Sequence, residues 1–145
     1  MEVLTPVPIS PVHAVPRAGA ARWCVWEGTR VIEVNEDDLH HEPYGRAWHE
    51  GRPFSGQAAD RLPNGTLVSL TAYADGLPDG PDLSWYPDGT REMEGHFRQG
   101  IPVGTHSRWA PDGTLVRQVE FSEGGRIIRR LTFDREGNVL TESGG

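Results

Sequence analysis

The stretch SWYPDGTREMEGHFRQG (84–100) contains a tryptophan, a Pro-Asp-Gly turn and an aromatic residue before a second glycine. A close copy of it, SRWAPDGTLVRQVEFSEG (107–124), follows after six residues. Corresponding residues lie 24 positions apart, as with Trp85 and Trp109 (109 − 85 = 24). The turn glycines keep this period over a longer stretch: Gly65, Gly89, Gly113 and Gly137. A fixed period of this length indicates a repeat protein.

Each repeat unit contains two turn signals separated by a run of about eight residues. The tight turns read PNGT, PDGT, PDGT and REGN, and Asn-Gly or Asp-Gly supplies the positive φ that tight hairpins need. The runs between turns, such as 114–121, are long enough for strands and too short for helices. We therefore predict an all-β fold: an antiparallel β-meander of 24-residue hairpin repeats in a single elongated, twisted sheet, with almost no helix in residues 45–145.

The alternation of apolar and polar residues predicts how this sheet is covered. Because 24 is even and strand side chains alternate with a period of two, we expect equivalent residues of successive units to share a face. The odd positions are apolar: Leu83, Trp85, Met93, Phe97, Trp109, Leu115, Val119, Phe121, Ile127, Leu131 and Phe133. The even positions are mostly polar: Asp82, Ser84, Glu92, Glu94, His96, His106, Arg108, Gln118, Glu120, Arg130 and Asp134. This pattern predicts one apolar face, which needs a covering layer, and one solvated face.

The N-terminal part of the chain does not follow the repeat. Residues 1–43 predict a proline-rich segment followed by a capping hairpin, and residues 44–145 predict the repeats. The stretch WCVWEGTRVIEV (23–34) is typical of an irregular hairpin around Gly28. We expect this hairpin to cap or partly cover the first repeat, because terminal repeats need atypical caps. Alternatively, a second copy of the chain or a partner protein could cover the apolar face.

Composition narrows the functional classes. The 145 residues predict one domain with a formal net charge of −7, which argues against a nucleic-acid groove. All 14 basic residues are arginine, which removes lysine-based chemistry. The single cysteine, Cys24, excludes an intrachain disulfide and is expected to be a buried small apolar group. The prolines near the N-terminus interrupt any signal-peptide core, and no run of about 18 apolar residues predicts a membrane span, so we expect a cytoplasmic protein.

The odd-numbered aromatics and the arginines beside them are the candidate binding residues. They could form an aromatic platform with guanidinium groups that hold an anion or an acidic partner. The alternative is that the aromatics are core and that the arginines, Arg129 among them, extend outward from the rim. The candidate set is Tyr73, Trp85, Arg91, Phe97, Trp109, Arg117 and Phe121.

Histidines and carboxylates gather in EDDLHHEPYGRAWHEG (36–51). Such groups can ligate zinc, but adjacent His40 and His41 would point to opposite faces of an extended segment, so a solvated loop is the simpler interpretation. His96 and His106 are both predicted on the solvated face, where they could be neighbours across strands. No phosphate loop, nucleophile elbow or dinucleotide fingerprint occurs, and we predict no catalytic residue, metal or cofactor.

The repeat resembles the variant MORN-repeat family, which includes bacterial YwqK-type antitoxin-like proteins. The resemblance rests on residues 76–124, GLPDGPDLSWYPDGTREMEGHFRQGIPVGTHSRWAPDGTLVRQVEFSEG, with residues 44–76 as a diverged first unit. The sequence departs from the pattern at Arg61 where a Trp is expected, at Ala110 in place of the second aromatic, and at Ile128 in place of a glycine. The resemblance implies an elongated antiparallel sheet and an antitoxin-like or protein-interaction role, and it transfers no catalytic residue.

Two functional hypotheses follow. The first is a non-enzymatic protein-binding repeat module, antitoxin- or immunity-like, that binds another protein through its extended sheet or forms a homodimer; the acidic net charge suits a basic partner. The second is a small-molecule-binding protein or a cofactor-free cyclase or isomerase of secondary metabolism. Its site would lie between the aromatic face and the N-terminal segment, with Arg117 and the His or Asp residues of 36–49 orienting or protonating a substrate.

Overall fold

The protein folds almost entirely into β-strands, as the sequence predicts. The computed structural model describes the backbone of residues 22–26, 29–43 and 45–145, and the side chains of residues 32–43 and 45–145. The predicted proline-rich segment up to residue 21, the turn at Gly28 and the side chain of Cys24 lie outside the described residues. The strands are β1 (Arg22–Trp26), β2 (Thr29–Asn35), β3 (His40–His41), β4 (Ala47–His49), β5 (Arg52–Pro53), β6 (Gly56–Arg61), β7 (Leu67–Ala74), β8 (Leu77–Trp85), β9 (Arg91–Arg98), β10 (Ile101–Trp109), β11 (Leu115–Phe121), β12 (Ile127–Phe133) and β13 (Val139–Gly144).

A single 3₁₀ turn, Glu36–Asp38, is the helical structure of the described residues, and it lies outside the repeats. The prediction of almost no helix in residues 45–145 is therefore confirmed. Within the described part of the chain, no helix has the length and apolar character needed to cross a membrane.

The repeats form the predicted β-meander. Strands β6 to β13 lie side by side in chain order, each antiparallel to the next, and β1 and β2 extend the sheet beyond β6. The hairpin of β1 and β2 thus caps the edge of the first repeat. The junction is parallel, with Val34 opposite Ala58, which the sequence analysis did not anticipate. Parallel neighbours need a crossover of about a dozen residues or more, and residues 36–55 provide it.

Part of the predicted first unit does not join the meander. β3, β4 and β5 form a separate three-stranded sheet, with Trp48 opposite both His40 and Pro53. Its apolar residues pack on one face of the large sheet instead of lengthening it. The crossover between β2 and β6 therefore also supplies a covering layer.

The tight turns repeat with the same hydrogen bonds. In one of them the Tyr86 amide donates to the Thr90 carbonyl (2.8 Å), and Gly89 has a φ of +90°. The Asp88 carboxylate accepts a hydrogen bond from the Thr90 amide at 2.8 Å. These hydrogen bonds favour the charged carboxylate and hold the pKa of Asp88 below its usual value.

Each tight turn is also accompanied by a β-bulge, and the bulges overturn the parity prediction. Ser84 lies opposite Met93, but Trp85 lies opposite Arg91, so β9 has one extra residue at this point. The equivalent shifts occur at Arg61, Trp109 and Phe133. Because one extra residue reverses the side-chain alternation, odd positions before and after each tight turn lie on opposite faces.

The large sheet consequently has apolar groups on both faces, which we call face A and face B. Residues directly opposite each other in neighbouring strands share a face, so the register assigns them. The prediction of a single apolar odd-numbered face is wrong. Face A holds Leu83, Trp85, Trp109, Leu115, Leu131 and Phe133, and face B holds Met93, Phe97, Val119, Phe121 and Ile127.

Each face has its own buried cluster in the N-terminal half of the sheet. On face A the cluster contains Ala59, Leu67 and Leu70, with Trp85 packed against it. Beside it, the Arg61 guanidinium donates to the Glu33 carboxylate at 2.9 Å, and both side chains are almost fully buried. On face B the cluster joins the large sheet to the crossover: Val34, Leu39, Ala47, Phe54 and Ala58, with Ile32 and Tyr73 packed against it.

Burial falls towards the C-terminus. In β9 and β10, Gly95, Val103 and Ser107 are buried, whereas the strand β13 is exposed along its whole length. The described residues of the crossover cover face B only as far as Tyr73. Among the described residues, none covers the part of face B formed by β9 to β12, which we call the open part of face B.

Candidate functional site

Three rings stack on the open part of face B. The His106 ring lies between two phenylalanines, with centroids 5.5 Å from Phe97 and 4.8 Å from Phe121, and both contacts are edge-to-face. All three side chains are half-buried. Rings in this arrangement attract each other by about 0.5–1.5 kcal/mol per pair beyond the area they bury. We call these three residues the ring stack.

Gly95 forms the floor beneath the histidine. A Cβ atom at this position would lie 2.4 Å from His106 Nδ1 and 2.6 Å from Cε1, which is closer than real Cβ atoms come. The absence of a side chain at Gly95 lets the His106 ring lie flat over the strand. From there His106 Nε2 reaches the backbone of His96, 3.0 Å from its carbonyl oxygen.

The two histidines therefore do not form the predicted pair on a solvated face. His106 lies on face B opposite Val119, whereas His96 lies opposite Pro81 and Val103 on face A. The cause is the two-residue turn between Arg98 and Ile101, because it sets even-numbered residues of β9 opposite odd-numbered residues of β10. The irregularity between Val103 and Ser107 adds two residues to β10 and leaves the alternation unchanged. His106 therefore contacts the backbone of His96 and not its ring.

Arginines surround the ring stack. Arg108 and Arg117 lie directly opposite each other on β10 and β11, and Arg130 lies opposite Val119 on the same face. All three side chains are exposed. Arg108 meets the Glu92 carboxylate at 3.3 Å, while Arg117 and Arg130 make no ion pair with any described residue.

Like charges directly opposite each other in a sheet are destabilising. Glu92 offsets Arg108 alone, and the other carboxylates of these strands, Glu94, Glu120 and Glu142, belong to face A by register. Face B of the C-terminal half is consequently basic although the chain as a whole is acidic. Because charges are screened within about 8 Å at physiological salt, this local imbalance outweighs the distant net charge for a ligand on the surface.

The candidate residues predicted from the sequence divide between the two faces. Tyr73, Phe97, Arg117 and Phe121 lie on face B, and Phe97, Arg117 and Phe121 belong to its open part. Trp85 and Trp109 lie on face A, where Trp85 completes a buried cluster. The seven residues therefore do not share one face of the sheet.

Two of the predicted arginines are engaged within the chain. The Arg91 guanidinium carbon lies 5.1 Å from the Trp85 ring centroid, and its Nη1 is 3.1 Å from the Glu94 carboxylate. Arg129 pairs with Glu142 at 2.8 Å. Arg117 is the predicted arginine that remains without such a partner among the described residues.

The histidine-rich segment does not assemble a metal centre. His41 Nε2 meets the Glu36 carboxylate at 2.8 Å on an exposed surface. Within the described residues, no group of three or more His, Cys, Asp or Glu is arranged to hold a metal ion.

Instead of forming a metal site, this segment covers Tyr73. The Tyr73 ring packs 5.8 Å from Phe54 and 6.4 Å from His41. Burial, together with the charges of Glu36 and Asp82, raises the pKa of Tyr73 to about 12. Where the described residues 32–43 meet the large sheet, the side chains thus form a packed apolar cluster.

Sequence reasoning missed His106, Arg108 and Arg130 as members of the site. Their even numbers placed them on the predicted solvated face, and the phase reversal at the bulges brings them beside odd-numbered aromatics. No unusual residue marks the bulges that reverse the alternation, so the sequence carries no evident signal for these three residues.

Comparisons with known proteins do not assign a family. No family model matches the chain, and no curated protein matches it. Among solved structures, a crystal structure of a mutant of S. aureus TarM in complex with fondaparinux, alpha-GlcNAc-glycerol and UDP is similar to 73% of this chain at 15% identity and a TM-score of 0.39. The match spans 19% of that protein's chain, and at this level of similarity it carries no functional argument.

Proposed function

We propose that the protein is a non-enzymatic binding module that holds an acidic segment of another protein on the open part of face B. The observation that carries the proposal is the ring stack with two arginines beside it that lack ion pairs among the described residues. The antitoxin- or immunity-like role implied by the resemblance to variant MORN repeats belongs to this proposal. The sheet supplies the extended surface that repeat proteins use for binding.

The chemistry of the surface favours an acidic ligand with an apolar or aromatic group. Arg117 and Arg130 can each donate charge-assisted hydrogen bonds to carboxylates, and Arg is enriched at protein interfaces together with aromatic residues. The half-buried faces of Phe97 and Phe121 offer apolar area beside these charges. An acidic partner would also relieve the repulsion between Arg108 and Arg117.

The site is tested with defined peptides on the full chain. Backbone amide signals are recorded by NMR during titration with an eight-residue peptide of alternating Glu and Phe, and with its Lys and Phe counterpart as the charge-reversed control. We expect the acidic peptide to shift signals of β10 to β12 and the basic peptide to leave them unchanged. Equal shifts with both peptides, or none with the acidic one, would contradict the proposal.

The variant Arg117→Gln separates a specific surface from general charge attraction. We expect a loss of affinity for the acidic peptide of about 2- to 5-fold, because one solvent-exposed charge pair is removed. The matched control is Arg98→Gln, another exposed arginine, which pairs with Glu123 and lies on face A by register. Equal losses in the two variants would mean that only net charge is sensed.

A further inference from the structure

The structure contains an open cleft of about 580 Å³ between two neighbouring tight turns, at the edge of the sheet and separate from the ring stack. The turn that follows β10 and the turn that follows β12 form its two walls. Its lining residues are Ala110, Pro111, Asp112, Thr114, Val116, Phe133, Asp134, Arg135 and Glu136. The repeat explains why a cleft is present at this place.

The preceding unit shows what occupies the equivalent position. Tyr86 corresponds to Ala110 (86 + 24 = 110), and its hydroxyl donates a 2.7 Å hydrogen bond to the carbonyl oxygen of Trp109. The Tyr86 side chain thus reaches from one hairpin to the next and is half-buried. Trp109 corresponds in turn to Phe133, which lines the cleft (109 + 24 = 133).

Ala110 therefore leaves open, beside Phe133, the place that the Tyr86 side chain fills in the preceding unit. The turn that follows Tyr86 and the turn that follows Ala110 share the sequence Pro-Asp-Gly-Thr and the same turn hydrogen bonds, and the turn on the far side of the cleft, Asp134 to Asn138, is closed by the same kind of backbone hydrogen bonds. The alanine side chain offers neither the ring nor the hydroxyl that the unit at Tyr86 supplies. The missing atoms define the chemistry that would fit: a planar ring with a hydroxyl donor at its far end.

The charged residues around the cleft determine the sign of the charge that a ligand should carry. Asp112, Asp134 and Glu136 contribute three carboxylates to its walls, and Arg135 contributes one guanidinium. Asp112 and Asp134 accept hydrogen bonds from turn amides, which hold their pKa values below the usual range, so both are ionised at neutral pH. An anionic ligand is disfavoured by this excess of negative charge, and a cationic one is favoured.

We propose that the cleft at Ala110 is a binding site for a cationic para-substituted phenol, either a free phenolic amine or a tyrosine side chain flanked by basic residues. In the bound state the phenol hydroxyl donates to the Phe133 carbonyl, as Tyr86 does to Trp109. The ammonium or guanidinium group lies among the carboxylates of the two turns. This site is independent of the acidic-segment surface on face B.

Three small probes test the two parts of this recognition on the full chain. Tyramine is titrated against phenethylamine, which lacks the hydroxyl, and against 4-hydroxyphenylacetate, which has the opposite charge. We expect tyramine to shift the NMR amide signals of Thr114 and Arg135 and to bind about 2- to 10-fold more tightly than phenethylamine, the effect of one hydrogen bond. Binding of 4-hydroxyphenylacetate as tight as that of tyramine, or no shift with tyramine, would overturn the proposal.

Two variants test whether the ligand binds in the cleft. Ala110→Tyr should fill the space from within, raise Tm by about 3 °C and abolish the tyramine shifts. Tyr86→Ala should open a second, equivalent space, lower Tm, and regain part of the lost stability when tyramine is added. Tyramine shifts that persist in a folded Ala110→Tyr variant would overturn the proposal.

The source of the phenol is decided with one further probe. A capped Lys-Tyr-Lys peptide that binds at least as tightly as tyramine assigns the site to a tyrosine side chain of a partner. Binding of tyramine without binding of the peptide assigns it to a free phenolic amine. Failure of both probes rejects the site and leaves the acidic-segment proposal untouched, because Ala110 and Phe133 are not part of the ring stack.

Discussion

Leu70→Ala tests the two-faced core directly. Leu70 is fully buried (0% exposed), lies opposite Ala59 and Leu83, and belongs to the face A cluster against which Trp85 packs. Removal of a fully buried leucine side chain costs about 2.7–5 kcal/mol, depending on how far the surroundings collapse. The near neighbours are strand residues fixed by hydrogen bonds on both sides, so the cavity should persist. We expect a loss in the free energy of unfolding of about 3 kcal/mol.

The measurement is urea unfolding followed by circular dichroism, with Leu140→Ala as the control. Leu140 is 63% exposed, so the same chemical change there should alter the free energy of unfolding by no more than about 0.5 kcal/mol. A domain of this kind is stable by about 5–15 kcal/mol, so a loss of 3 kcal/mol is a large shift of the midpoint. If Leu70→Ala cost less than about 1 kcal/mol, face A would not hold a core and the assignment of faces would be wrong.

Two further predictions concern the ring stack and the turns. Gly95→Ala places a Cβ against His106 and should displace its ring, which should lower the free energy of unfolding, measured with urea, by about 1–2 kcal/mol. The control is Gly124→Ala, which should be neutral because its Cβ would meet only the Ser122 hydroxyl at 4.0 Å. Equal effects of the two substitutions would refute the close contact. Asp112 has a lowered pKa in the fold, so its stabilising contribution is present above its unfolded pKa of about 3.9 and is lost as the pH falls through the folded value. Asp112→Asn should therefore flatten the loss of stability below about pH 4 in thermal unfolding, and an unchanged acid profile would contradict this.

The sequence predicted the hairpins because their chemistry is local. The glycines at Gly65, Gly89, Gly113 and Gly137 all have positive φ, as the tight turns require, and each is bonded back across its turn. The spacing of the turns then determines the length of the strands and their antiparallel order, so both can be predicted without knowing how the side chains pack. The all-β meander followed from these residues.

The distribution of side chains over the two faces could not be predicted in the same way. The shift between Ser84 and Trp85 depends on which hydrogen bonds the strands make after the turn, and no unusual residue marks it. Each extra residue moves the side chains of the strand that follows to the other face, so the bulges misplaced Phe97 relative to Trp85 and Phe121 relative to Trp109. The parallel junction of β2 and β6 was missed for a related reason, because it depends on where the crossover packs.

Residues that differ between units are the better guide to function in this fold. Columns that stay alike, such as the aromatic column of Tyr73, Phe97 and Phe121, recur because every hairpin needs the same packing. The column that crosses face B between these aromatics instead reads Asp82, His106 and Arg130 (82 + 24 = 106; 106 + 24 = 130). Asp82 accepts a hydrogen bond from Thr71 at 2.8 Å, His106 completes the ring stack, and Arg130 makes no ion pair with a described residue. One backbone position thus changes from an internally bonded acid to an exposed base along the sheet, which is why we place the binding surface at the C-terminal end.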